Sequence, residues 1–177
     1  MTVLVTYASR YCATAVIAEQ IAATLTAAGH EAQARPVDKA GDLAGAEAVV
    51  VGSAVYFGSW LKPATAFVQR HRATLAERPV WLFSSGPLPG AVVPEKTGEE
   101  REGDAMPKGV DELRADVGAR GHQVFDGALD PKKLGIRDRA IRALPAGKAL
   151  MPEVDGRDWA AIEEWARGIG RELDVVG

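Results

Sequence analysis

The chain has 177 residues, of which 47% are apolar and 25% charged, and its formal net charge is −3. These values are typical of a soluble globular protein, and the length suits a single domain over residues 1–177. They argue against a bilayer-spanning segment, since the apolar runs are too short, and against a nucleic-acid-binding module, since no basic patch carries interleaved aromatic residues.

Cysteine and histidine usage indicates the compartment and the absence of a metal. The single cysteine, Cys12, cannot form an internal disulfide and is compatible with a reducing compartment. The chain opens directly into strand-like sequence, so a cytoplasmic location is expected. The three histidines show no metal-ligand spacing, and no metal site is predicted. His30 is expected to be exposed at a turn, and His71 to have a structural role.

The first predicted elements are a strand over Val3–Tyr7, a polar loop and a helix that ends near Gly29. A strand, a hydroxyl-bearing loop and a helix N-terminus form a typical phosphate site, because loop N–H groups and the positive end of the helix dipole converge there. The alternative is a plain strand-to-helix turn. The candidate binding residues of this loop are Ser9, Arg10, Tyr11, Cys12, Ala13 and Thr14.

Two further strands follow. Glu31–Val37 predicts a weak strand, and Pro36 within it favours an edge position. Ala46–Gly52 has the continuous apolar centre that parallel sheets bury on both faces, and it predicts the strongest strand.

The loop after Gly52 holds three aromatic residues within five positions, which favours contact with a flat ligand ring. Tyr56 and Trp60 are the preferred stacking residues. The alternative is that the aromatic side chains simply fill the top of the core. The candidate residues of this loop are Ser53, Ala54, Val55, Tyr56, Phe57, Gly58 and Trp60.

The second half of the chain continues the alternation of helices and strands. Its predicted elements are a helix over Leu61–Ala76, a strand over Pro79–Ser84, a long loop over residues 85 to about 106, a helix over Lys108–Arg120, a strand over Gln123–Leu129 and a last helix over Asp158–Leu173. Long loops inside compact domains are usually functional.

A basic stretch lies before the last helix. Residues 131–148 carry six bases against one acid, Asp138, whereas residues 95–116 carry eight acids and four bases. A helix over Leu134–Leu144 places three aliphatic residues roughly on one side, namely Ile136, Ile141 and Leu144. The preferred interpretation packs them on the sheet. The alternative is contact with anionic headgroups or ligand groups through residues 132–148.

Strands alternating with helices predict an α/β fold, a doubly wound five-stranded parallel sheet with helices on both faces. The expected strand order is 2-1-3-4-5, for which ligands lie beyond the carboxyl ends of strands 1 and 3. The loops after strands 1, 3 and 4 are therefore expected to carry the ligand chemistry.

The segment from Val5 to Ile21 resembles the phosphate-binding signature of the flavodoxin family, and only Thr6 departs from that pattern. The resemblance implies a flavodoxin-like fold with FMN as the cofactor, its phosphate in the first loop and its ring against the aromatic loop. It also implies that the loop after strand 4 contacts the second side of the flavin, through Ser85 and Gly86 by position.

Further short matches resemble the flavodoxin-related protoporphyrinogen oxidases that use menaquinone. Gly52–Gly58 is similar to the segment GASIRYG of that family, and Phe67–His71 is similar to FVKKH. Gly127–Leu129 resembles GAL, Asp138-Arg139 resembles the end of a downstream YDR, and Asp158-Trp159 resembles TDW. Three features depart from that family: Arg137 replaces the aromatic residue before the Asp-Arg pair, Asp130–Lys133 replaces the basic, aromatic run after GAL, and the long loop is acidic.

The resemblance implies an FMN-binding redox protein, expected to be a quinone-linked oxidoreductase of the protoporphyrinogen oxidase type in heme biosynthesis. Its expected partner is a small-molecule or quinone redox partner. Alternatives are a soluble flavodoxin-type electron carrier and a non-redox binding module that has lost the flavin. A net charge of −3 is mild beside the acidic surface of ordinary flavodoxins, which favours an enzyme or a role at the inner face of the membrane. The catalytic residues and the oligomeric state are left open.

Overall fold

In a computed structural model, which describes residues 1–86 and 106–176, one parallel sheet separates two layers of helices. The strands are β1 (Thr2–Ala8), β2 (Glu31–Pro36), β3 (Ala48–Tyr56), β4 (Ser59–Trp60), β5 (Val80–Ser85), β6 (Gly121–Phe125), β7 (Ala128–Leu129) and β8 (Val154–Asp155). The helices are α1 (Ala13–Ala27), α2 (Lys62–Arg70), α3 (Arg72–Ala76), α4 (Val110–Val117), α5 (Ile136–Ala143), α6 (Gly147–Leu150) and α7 (Trp159–Val176).

The main sheet has the order β2-β1-β3-β5-β6, with all neighbours on this path parallel, and the two-residue β4 pairs antiparallel to β3. This is the predicted 2-1-3-4-5 arrangement, and the predicted fold class is confirmed. β2 lies at the edge, as its proline indicated. β7 and β8 form a separate antiparallel pair after the main sheet.

Alternation along the strands divides the core into two layers. On one face, Leu4, Val49 and Leu82 are buried among residues of α2, α3 and α4. On the other face, Val50 and Phe83 are buried among residues of α1 and α7. Burial of both faces explains why β3 reads as a continuous apolar run.

Several element boundaries differ from those predicted. The helix over Leu61–Ala76 is interrupted at His71, whose φ of −101° lies outside the helical region. The predicted strand Gln123–Leu129 ends at Phe125, and its last two residues pair with β8 instead. The long predicted loop lies mostly outside the described residues.

Gly52 lies in the middle of β3, beside Tyr7 of β1 and Phe83 of β5. A Cβ atom at this position would overlap the ring of Phe83, so the core admits only glycine here. Because β1, β3 and β5 pair in parallel, their carboxyl ends lie side by side at one edge of the sheet. Among the described residues, no helix combines the length and the apolar character needed to cross a bilayer.

Candidate cofactor site

The loop between β1 and α1 leads into a helix whose first turn has no side-chain cap. Ala13 is the first helical residue, and Cys12 before it has a left-handed backbone with φ of 68°. The Cys12 carbonyl accepts a hydrogen bond from the Val16 N–H at 3.1 Å, but no side chain caps the first turn. The free N–H groups at the positive end of α1 are therefore available to an anion.

Two buried hydroxyl groups lie in this loop without a hydrogen-bond partner among the described residues, Ser9 Oγ and Thr14 Oγ1. Thr14 is fully buried, although it is only the second residue of its helix. A buried hydroxyl without a partner is costly, which indicates that a group absent from the protein itself accepts these hydrogen bonds. Phosphate oxygens at a helix N-terminus meet this requirement.

Thr6 Oγ1 is also buried without a partner, but strand alternation places Thr6 with Leu4 and Ala8 on the opposite face of the sheet from α1. The structure gives no role for this hydroxyl.

Arg10 connects this loop to helix α5. Its Nη2 atom lies 3.0 Å from Asp138 Oδ2, and the carboxylate is almost fully buried while the guanidinium is about half exposed. The guanidinium carbon also lies 5.6 Å from the ring centre of Tyr11 and 5.3 Å from that of Tyr56. Arg10 thus joins the β1–α1 loop, the end of β3 and helix α5.

Tyr11 of the β1–α1 loop and Tyr56 at the end of β3 form an aromatic pair, with ring centres 6.5 Å apart and planes inclined by 57°. Burial raises the pKa of Tyr56 to about 12, against the opposing effect of the Arg10 charge. The phenol is therefore a neutral hydrogen-bond donor at physiological pH. This pair is the aromatic surface available at the predicted ligand edge.

The predicted loop after β3 is shorter than expected, because the strand continues to Tyr56. Ser53 pairs with Ala8, and Ala54 pairs with Ser85, so both belong to the sheet. The Ser53 hydroxyl donates to the Ala54 carbonyl and accepts from the Leu61 N–H, at 2.9 and 3.0 Å. The structure therefore places Ser53 and Ala54 in the core, and the Ser53 hydroxyl already has partners.

A tight turn follows the strand. Phe57 and Gly58 both have positive φ, of 50° and 75°, and they join Tyr56 to its partner Ser59. Phe57 is 87% exposed at the tip of this hairpin. An exposed aromatic residue in a backbone conformation that normally requires glycine or asparagine is unusual, and such strain is concentrated at binding sites.

Trp60 lies in the core, and its ring is 5% exposed. The indole Nε1 donates to Ser84 Oγ at 2.7 Å, and the same oxygen lies 2.8 Å from His122 Nε2. The structure thus corrects the preference for Trp60 as a stacking residue, because its faces are covered by the core. Tyr56 remains a candidate, together with Tyr11 and Phe57.

Ser85 is the last residue of β5, and Gly86 follows it. Both lie beside the end of β3. Ser85 is buried, and the Gly86 N–H donates to the Phe125 carbonyl at 2.8 Å. Gly86 has φ of 117°, and a Cβ atom there would lie 3.5 Å from both the carbonyl oxygen and the Cβ of Val55. Both residues are therefore at the predicted edge, but their contact with a ligand remains a prediction.

Sequence reasoning missed Asp138, which the structure places against Arg10 of the β1–α1 loop. The sequence does distinguish Asp138, because it is the only acid in the basic stretch 131–148. Reasoning also missed the β7–β8 pair, which flanks a cleft of about 410 Å³ beside Tyr11 and Cys12. Charged side chains from this pair and its neighbours, including Lys133 and Arg157, line the far side of that cleft.

The expected exposure of His30 is wrong, since only 6% of the residue is exposed. Packing against α7 covers it, and its Nε2 lies 3.7 Å from Asp174 Oδ1. The His71 ring packs against Phe67, with ring centres 4.6 Å apart and planes inclined by 43°. Within residues 1–86 and 106–176, no three His, Cys, Asp or Glu side chains are grouped as metal ligands would be.

A family model described as the flavodoxin domain matches residues 4–146. No curated relative matches the chain in sequence. Among solved structures, a cysteine-to-serine mutant of the Pseudomonas aeruginosa flavodoxin has a TM-score of 0.59 at 18% identity, with 98% of this chain and 99% of that chain covered. The Streptococcus pneumoniae flavodoxin has a TM-score of 0.59 at 16% identity, with 97% and 99% covered.

The rubredoxin oxygen:oxidoreductase of Desulfovibrio gigas has a TM-score of 0.64 at 14% identity. The match covers 98% of this chain but only 36% of that larger protein. At these levels of identity, the three structures establish a shared fold.

Proposed function

Because the chain belongs to the flavodoxin domain family, we propose that it is an FMN-binding redox protein that holds the cofactor phosphate at the start of α1. The single observation that carries this proposal is the pair of buried hydroxyl groups of Ser9 and Thr14, which have no partner in the described chain. Together with the uncapped N–H groups of α1, they supply neutral donors to a phosphate dianion.

The flavin ring belongs at the adjacent edge of the sheet. Tyr11, Tyr56 and Phe57 supply aromatic faces there, and Gly86 allows close approach of the backbone after β5. FMN, when bound, supplies the redox chemistry, while the protein orients the ring and controls access to it. The prediction of FMN as the cofactor agrees with the family to which the chain belongs.

The test is a titration of cofactor-free protein with FMN and, in parallel, with riboflavin, which has the same ring but no phosphate. We expect FMN to bind at least about 100-fold more tightly than riboflavin, because two charge-assisted hydrogen bonds and a helix N-terminus recognise the phosphate. Equal affinities would place the phosphate elsewhere. A colourless protein that does not bind added FMN would leave only the non-redox binding module.

Within this function, we propose a quinone-linked oxidoreductase of the protoporphyrinogen oxidase type, with a role in heme biosynthesis. The support is the ordered set of short sequence resemblances from Gly52–Gly58 to Asp158-Trp159, and the position of Asp138 of the Asp-Arg pair, which contacts the phosphate loop through Arg10. The test is oxidation of protoporphyrinogen by FMN-loaded protein with a menaquinone analogue as acceptor.

A soluble electron carrier is the second candidate. It is favoured by the two bacterial flavodoxins, which match the chain over 99% of their own length. Absence of porphyrinogen oxidation, combined with rapid reduction of the bound FMN by a flavodoxin reductase, would establish the carrier and refute the oxidase.

A further inference from the structure

Helix α5 has its apolar side turned to solvent. Ile136, Ala140, Ala143 and Leu144 follow one another at spacings of four, three and one, which places them on one face of the helix, and all are exposed. Ile136 is 88% exposed and Leu144 is 60% exposed. The expectation that the aliphatic residues of this helix pack on the sheet is therefore wrong.

The opposite face of α5 is attached to the protein by polar contacts. Asp138, the one buried residue of the helix, pairs with Arg10 of the phosphate loop. Arg142, four residues later, donates from Nε to the Met151 carbonyl at 3.0 Å. A surface helix normally buries its apolar side and exposes its charged side, so the orientation of α5 is the reverse of the usual one.

Basic side chains lie before, within and after α5 along the chain, with Arg142 on its attached face. Within the described part of the chain, none of the six bases of residues 131–148 forms an ion pair: Lys132, Lys133, Arg137, Arg139, Arg142 and Lys148. The Arg139 guanidinium donates to the Lys132 carbonyl at 2.7 Å, which leaves its charge uncompensated. The only acid of the stretch, Asp138, is buried against Arg10.

We propose that this face of α5, with its surrounding bases, docks on the surface of an anionic lipid bilayer. The bases precede, interrupt and follow the apolar residues along the chain, an arrangement that matches dispersed negative charge better than a few fixed carboxylates. Aliphatic side chains of an interfacial helix enter the headgroup region, and lysine and arginine remain at its polar level. Each base near such a surface strengthens the attraction to the anionic headgroups.

The attachment of α5 determines which side of the molecule would meet the membrane. Arg10 lies within the loop at the carboxyl ends of the parallel strands, where the proposed cofactor site is also located. Docking through α5 therefore brings that edge of the sheet towards the bilayer. The exposed Phe57 turn lies at the same edge.

The test is co-sedimentation of the full chain with vesicles of phosphatidylcholine alone or with about 30% phosphatidylglycerol. We expect binding to the anionic vesicles only, and loss of that binding as salt is raised from about 0.1 to about 1 M, which shortens the screening length from about 10 to about 3 Å. Absence of binding to the anionic vesicles at low salt would overturn the proposal.

The double variant Ile136→Asp/Leu144→Asp should reduce the partition coefficient at least about tenfold, because it places charge on the inserting face. The matched control is Val175→Asp, which also changes an aliphatic residue that is 87% exposed. Val175 lies near the end of α7, after Gly170. Gly170 lies beside His30, which precedes β2 at the amino ends of the parallel strands, opposite the proposed cofactor site. The control should bind vesicles as the unchanged protein does.

Since both substituted residues are exposed, the melting temperature of the double variant should be unchanged, and circular dichroism checks this. Equal vesicle binding by the double variant would overturn the proposal. Size-exclusion chromatography tests for self-association. If the unchanged protein is a dimer and the double variant is a monomer, a second copy, rather than lipid, covers this face, and the proposal is overturned.

Discussion

The Arg10 guanidinium and the Asp138 carboxylate, 3.0 Å apart, connect the loop before α1 to helix α5. Only 7% of the Asp138 side chain is exposed, against 45% of the Arg10 side chain. Removing the single cationic partner of a buried carboxylate is energetically costly, although a buried ion pair adds little to global stability. The pair therefore mainly fixes the position of α5.

Arg10→Met should therefore release α5 locally. Detachment of the helix exposes Asp138 to water, which limits the loss in free energy of unfolding to about 1–2 kcal/mol, less than the several kcal/mol of an unrelieved buried charge. Amide hydrogen exchange in residues 136–143 should accelerate strongly while exchange in β3 stays slow. The double variant Arg10→Met/Asp138→Leu should restore slow exchange, and failure to do so would show that the ion pair does not hold the helix.

Thr14→Val should change stability and cofactor affinity in opposite directions. Valine keeps the shape of the buried side chain but removes the unpartnered hydroxyl, so cofactor-free protein should gain about 1 kcal/mol in free energy of unfolding. FMN affinity should fall by about 1.5–3 kcal/mol, that is, about 10- to 150-fold. Denaturant titration and FMN titration measure the two effects.

Thr26→Val is the matched control, because the Thr26 hydroxyl already donates to the Ala22 carbonyl at 2.9 Å on the same helix. It should leave FMN affinity unchanged. A Thr14→Val protein with normal affinity would remove Thr14 from the site.

Phe57→Asn should stabilise the hairpin after β3. Two-residue turns with positive φ at both positions favour Asn-Gly, and phenylalanine at φ of 50° costs about 1 kcal/mol. The melting temperature of cofactor-free protein should rise by several degrees. If Phe57 contacts the flavin, FMN affinity should fall in the same variant. An unchanged or lower melting temperature would contradict the assignment of strain to this turn.

Stability should decrease between pH 6.5 and pH 4 because of His122. Burial, aided by the Arg114 charge and opposed by Asp111, lowers the pKa of His122 from 6.5 to about 4. The unfolded chain takes up the proton first, so this contribution is complete above pH 6.5 and is lost as the pH falls towards 4.

The loss attributable to His122 should be roughly 1–2 kcal/mol, after discounting for the solvent that reaches the ring. Urea unfolding at pH 5 and pH 7 measures it, with His122→Gln as the comparison. The variant should show a shallower pH dependence, and identical slopes would contradict the lowered pKa.

The pattern of the sequence was sufficient for the sheet, because the apolar run of β3 and the alternation of strands and helices are local signals. It was insufficient where contacts between residues far apart in sequence determine burial or orientation. Trp60 is buried because Ser84 accepts its indole N–H, and His30 is buried because α7 packs over it. The observed orientation of α5 places Asp138 against Arg10, whereas the composition of the helix alone favoured the opposite orientation.

The same pair has a consequence for how a dianion is recognised. Arg10 is the only cation between Ser9 and Thr14, and its charge is already compensated by Asp138. Within this loop, backbone dipoles and hydroxyl groups, which carry no net charge, then remain to hold the phosphate. The contribution of the loop to cofactor retention should consequently depend little on ionic strength, whereas attachment to a charged surface should depend on it strongly.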